Sequence, residues 1–148
     1  MNSTQKLVLG LALVLGLATA PPTMAEPPAN RAALVGTWVN VNPATSGIVK
    51  VVVTNDIFGF RVRTFGACSP SPCDHGAIAA QPLSKTVSST VASGLSATYN
   101  FGFKKTLVTA KRVSEYDGGT FLQLDAFNVF AAGDTRFDYM RSELFRKQ

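Results

Sequence analysis

The chain has 148 residues, of which 46% are hydrophobic and 16% charged, with a formal net charge of +5 at pH 7. That length holds one domain and one core rather than several. The basic residues stand in ones and twos, which excludes a basic run of nucleic-acid-binding type and reads as a charge that serves solubility.

Lys6 followed by the apolar run from Leu7 to Ala18 has the charged and hydrophobic regions of a secretory leader. About twelve apolar residues are too few to cross a bilayer as a helix. Thr23-Met24-Ala25 puts small residues at both peptidase specificity positions, so residues 1–25 are expected to be cleaved after Ala25. No lipobox cysteine accompanies the leader, and no stable membrane anchor is expected. The mature protein is expected in the periplasm or outside the cell.

Residues 26–34 form a lead-in, in which Asn30 is placed to cap a short helical turn through Arg31-Ala32-Ala33-Leu34. Residues 35–148 then read as strands with short links. The alternation of apolar and polar side chains predicts them at 35–42, 47–54, 58–66, 76–81, 94–103, 105–114, 119–130 and 135–146. Asn55-Asp56, Asp117-Gly118-Gly119 and Ala132-Gly133-Asp134 supply residues that tolerate tight hairpin conformations. Eight such strands predict an all-β, eight-stranded antiparallel up-and-down β-barrel. The least regular stretch is expected from Cys68 to about Gly94, and recognition is expected there because loops on a rigid scaffold carry function.

The only two cysteines, Cys68 and Cys73, enclose Ser69-Pro70-Ser71-Pro72. An even count in an exported chain predicts a disulfide, here a local one that shapes a loop. Closing so short a loop is worth only about 2 kcal/mol on chain-entropy grounds, so the barrel is expected to survive reduction.

Parity assigns the faces. If Trp38 points inward, Asn40 and Asn42 share its face. Phe58, Phe60, Val62 and Thr64 form one internal set, and Leu95, Ala97, Tyr99, Phe101 and Phe103 another. In the second strand Val49, Val51 and Val53 oppose Ile48, Lys50 and Val52. Phe121, Gln123 and Asp125 oppose Leu122 and Leu124, a mixture that signals either a bulge or polar groups inside. A barrel of this size either fills itself with side chains or holds one small ligand, and parity leaves both open.

Gly36-Thr37-Trp38-Val39-Asn40 resembles the opening strand of the calycin group, the lipocalins and avidin-like proteins. The resemblance implies that Trp38 closes the barrel base under a stacked arginine, for which Arg141 and Arg146 are the candidates, Arg146 being the one assigned. It also nominates Asn40 as a pocket residue, although the further tryptophans of a biotin site are absent. The same opening, with Phe65-Gly66-Ala67-Cys68-Ser69-Pro70-Ser71-Pro72-Cys73-Asp74-His75-Gly76, is similar to small exported bacterial proteins of no established function.

No motif rises to an enzyme signature. His75 is the only histidine, and no nucleophile elbow accompanies it. Cys68, Cys73, Asp74 and His75 are four potential metal ligands, but a disulfide would remove both thiolates, so neither metal nor cofactor is expected. Asn40, Tyr99, Gln123 and Arg141 are the candidate polar groups of a ligand cavity. Arg61, Arg63, Lys104, Lys105, Lys111 and Arg112 are read as a solvated face or as a stripe for an anionic partner.

The leading expectation is an exported, non-enzymatic binding protein for a small apolar or amphipathic ligand. The alternatives are a protease inhibitor acting on an exported protein through the trunk Glu26 to Arg31, and an envelope interaction protein.

Overall fold

The computed structural model describes residues 30–114 and 119–148. The expected leader, its cleavage site, the lead-in before Asn30 and the Asp117-Gly118 link lie outside the described residues. Among the described residues there are nine strands: β1 (Gly36–Asn40), β2 (Ile48–Asp56), β3 (Gly59–Gly66), β4 (Cys73–Ala79), β5 (Gln81–Ser84), β6 (Ala92–Asn100), β7 (Lys104–Ser114), β8 (Thr120–Phe130) and β9 (Tyr139–Lys147). They form one sheet in the order β4-β3-β2-β1-β9-β8-β7-β6-β5, with every adjacent pair antiparallel.

The two outermost strands, β4 and β5, are consecutive and separated by Ala80 alone. The sheet is therefore a nearly closed, all-β antiparallel barrel whose seam is one continuous stretch of chain. The expected count of eight is corrected here, because the fourth expected strand is two. Its first half pairs with β3 and its second with β6. Ala80 still donates its amide to Phe60 O at 2.9 Å, but Pro82 has no amide hydrogen to continue that ladder, and the chain changes partner.

The core follows from parity, with three shifts. Leu34, Trp38, Val51, Val62, Leu95, Leu122, Leu124 and Phe145 are fully buried, and each such side chain contributes about 1.5–3 kcal/mol of burial free energy. In β2 the register with β3 slips between Ile48 and Lys50, so Ile48 turns inward beside Val51 and Val53. Phe58, expected inside, is 74% exposed: it sits in the turn before β3, where Asp56 Oδ1 accepts its amide, and projects into solvent. Asn42 and Phe103 are also exposed, because β1 and β6 end before reaching them.

Trp38 closes one end, here called the base. Its Nε1–H donates to Leu34 O at 2.9 Å, and Leu34 belongs to a turn in which Asn30 Oδ1 accepts from Ala32 N. Asn30 is itself tied to the far loop, donating to Thr90 O at 2.7 Å and accepting from Ala92 N at 2.9 Å. The opposite end carries the loops 41–47, 67–72, 101–103 and 131–138, and it is open.

Candidate functional site: a cup at the mouth of the barrel

The open end holds a cavity of about 260 Å³. Its floor is set by residues one or two positions above the core on the same inward faces: Tyr99 and Phe101 follow Ala97, Asn128 follows Ala126, and Arg141 and Glu143 precede Phe145. Each strand thus changes from apolar to polar or aromatic as it leaves the core. The remaining wall comes from Ser46-Gly47, the disulfide Cys68–Cys73 and His75.

The aromatic side is ordered by ring contacts. Tyr99 and Phe101 stack with centroids 5.8 Å apart, and His75 meets Phe101 edge-on at 5.4 Å. These separations suit offset and edge contacts between rings. Tyr99 is buried and saturated. Its hydroxyl accepts from Thr64 N at 3.1 Å and faces Val62 O and Gly76 O at 3.1 and 3.2 Å. The β3–β4 register shifts between Arg63 and Phe65, and the phenol fills that gap. Gly76 lies in the gap at φ +82°, a backbone conformation that glycine adopts without steric cost. Burial pushes the Tyr99 hydroxyl above its ordinary pKa of 10.

His75 Nδ1 lies 2.9 Å from Thr64 Oγ1. Burial holds its pKa below the ordinary 6.5, Lys104 adds to that effect, and Asp74 opposes it. Asp74 itself turns outward to pair with the Arg63 guanidinium and accept from Gly76 N, which together hold its carboxyl at about 2. Cys68 and Cys73 are joined to each other, so neither offers a thiolate to a metal.

The cationic side is built on Asn128. Its Oδ1 accepts from Thr106 Oγ1 at 2.8 Å and from Lys104 Nζ at 2.9 Å. That fixes the ammonium 5.3 Å from the Phe101 ring and 5.9 Å from the Tyr139 ring. Arg141 donates from Nη2 to Ser46 Oγ at 3.1 Å. Glu143, the cup's one carboxylate, accepts from the Thr45 hydroxyl and, at 2.9 Å, from Ile48 N. It pins the β1–β2 loop to β9.

Of the four residues expected to line a cavity, the structure brings Tyr99 and Arg141 together in the cup. Asn40 is buried elsewhere, donating to Ile48 O at 2.8 Å and accepting from Asn42 N at 2.8 Å, which closes the end of β1. Gln123 lies on the outer face and donates to Ser142 Oγ at 3.3 Å. Arg146 is exposed, paired in register with Val39 and Phe121. The cation over Trp38 is Lys147, with Nζ 5.4 Å from the ring and in direct register with it. Gly36 explains the approach: it stands at φ +137°, and a Cβ there would meet Lys147 Cε at 2.6 Å.

Sequence reasoning missed Asn128, Glu143 and Lys147, and it put Lys104 in a basic stripe on the strands rather than in the cup. Asn128 had a readable signal, as the polar residue ending the run Leu122, Leu124, Ala126 on one face. A separate feature lies outside the barrel, where Leu107, Phe127 and Met140 form an exposed apolar row in register across β7, β8 and β9.

Compared with protein-family models, with curated proteins and with solved structures, the chain matches none of them. The barrel is compatible with a calycin-like fold, and no match supports the similarity to small exported bacterial proteins.

Proposed function

We propose that this is an exported, non-enzymatic β-barrel binding protein that takes a small amphipathic ligand into its mouth. One observation carries the reading: the packed interior stops short of the open end and leaves a cavity of about 260 Å³ with aromatic rings on one side and fixed polar groups on the other. Ligand sites commonly combine an apolar lining with a few placed polar groups in this way. The volume corresponds to about nine waters at liquid density, or one small organic molecule.

Export is supported by the leader-like sequence at residues 1–25 and by the disulfide, which persists in oxidising compartments. The non-enzymatic reading is supported by His75, whose Nδ1 faces a threonine hydroxyl while the neighbouring Asp74 is occupied by Arg63.

Native mass spectrometry of protein purified without denaturation tests the proposal, alongside Ala126→Phe, which fills the cup from β8. The wild type should carry or take up a small molecule that the variant, still folded by circular dichroism, does not. Equal uptake by both, or none by the wild type, would refute it.

A further inference from the structure

Resting on that reading, we infer that the ligand of the cup is a small organic anion, an aryl carboxylate whose head meets Lys104 and Arg141 and whose ring lies between Phe101 and Tyr139. Both cations line the cavity, and among the described residues neither forms an ion pair with a carboxylate. Glu143, the one carboxylate lining the cup, accepts from the Thr45 hydroxyl and the Ile48 amide, neutral donors that leave its charge in place beside Arg141. The cup therefore presents two positive charges against one negative charge and is net positive.

Geometry also fixes how the charge is offered. Lys104 spends one of its three donors on Asn128, whose side chain is itself buried, which leaves two for a guest. Arg141 spends one donor on Ser46 and keeps the rest of its fork. Because Phe101 and Tyr139 flank the same ammonium, an acid that reaches Lys104 Nζ carries its body between two rings. A flat body suits that position, since aromatic faces beside the ammonium favour an offset or edge contact with a guest ring. The volume admits one ring on a short linker and leaves no room for a long acyl chain. A cationic guest would be repelled by the same two positive charges, in a partly enclosed site where Coulomb terms are stronger than in water.

The test is a calorimetric titration of the mature protein with three compounds that differ only in the head: 4-phenylbutyrate, 4-phenyl-1-butanol and 4-phenylbutylamine. The carboxylate should bind about tenfold or more tighter than the alcohol, and the amine weakest of the three. Lys104→Met and Arg141→Met should each lower the affinity for the carboxylate by about tenfold and leave that for the alcohol nearly unchanged. If a variant fails to fold, salt dependence in the unmodified protein carries the same information, because added salt should weaken the carboxylate and not the alcohol.

Similar affinities for all three compounds, or a preference for the carboxylate that survives both substitutions, would overturn the inference and leave the binding reading standing. If none of the three binds while a different, uncharged molecule is retained in native mass spectrometry, the inference also falls and the binding reading again survives. If nothing binds by either method, both fall together.

Discussion

Tyr99 shows how a residue can sit in the right place for a reason that its type does not announce. Its phenol lines the cup, yet all three of its hydrogen-bonding contacts go to the backbone of β3 and β4. Tyr99→Phe should therefore act on stability first, costing about 1–3 kcal/mol in urea denaturation because buried backbone groups lose a partner. His75 gives a pH prediction. Its folded pKa lies below the ordinary 6.5, chiefly through burial and then through Lys104, with Asp74 opposing. As pH falls through that ordinary value the unfolded chain takes up a proton that the folded chain refuses, so stability decreases on acidification, until the folded imidazole is also charged. The melting temperature should fall between pH 8 and pH 5.5, and His75→Gln should flatten that part of the profile. As the chain has a single histidine, its imidazole resonance in proton NMR should titrate below 6.5. Parity in the sequence placed Tyr99 on the inner face, but it carried no information about hydroxyl partners. Gln123 went to the outer face because Leu122 and Leu124 took the inner one, a choice their mixed strand left open.

At the scale of elements, the opening strand was the most legible part of the chain. Glycine, tryptophan and the following asparagine mark β1, and all three have mechanical roles. Gly36 admits the Lys147 stem, Trp38 seals the base and Asn40 ends the strand. The partner of Trp38 was not legible, since the choice among Arg141, Arg146 and Lys147 depends on register, which the last strand's mixed pattern does not fix. Lys147→Ala should lower stability by about 0.5–1 kcal/mol, and the effect should be read from the fluorescence of the lone tryptophan during denaturation. Gly36→Ala should cost more, because its φ of +137° is unfavourable for an L side chain and the added Cβ would also push the Lys147 stem off Trp38. The seam between β4 and β5 escaped sequence reading for a related reason: Ile78 and Leu83 lie in one apolar stretch, and only the proline between them hints at a change of partner. The disulfide closes a sequence separation of 5 residues at the rim. Its reduction should remove about 2 kcal/mol and leave the far-ultraviolet circular dichroism spectrum unchanged, while altering ligand affinity because both cysteines border the cup.

The molecule as a whole is a gradient from a sealed base to a polar mouth. Leu34, Trp38 and Phe145 pack the base without exposure, and the inward faces then acquire Thr64, Thr106 and Asn128 before opening on Lys104 and Arg141. Among the described residues, Trp38 and its turn fill the base. Alternation of side chains made the all-β barrel readable. The cup was not readable, because its lining comes from seven strands and three loops whose ends are defined only once the sheet has curled. The central claim is that small molecules enter at this end. It is tested most directly by following backbone amide resonances of the mature protein during titration with 4-phenylbutyrate. Shifts concentrated at His75, Phe101, Lys104, Asn128 and Arg141, with Leu34, Trp38 and Ile57 still, would agree with the account; shifts confined to the base or to the outer row Leu107, Phe127 and Met140 would contradict it.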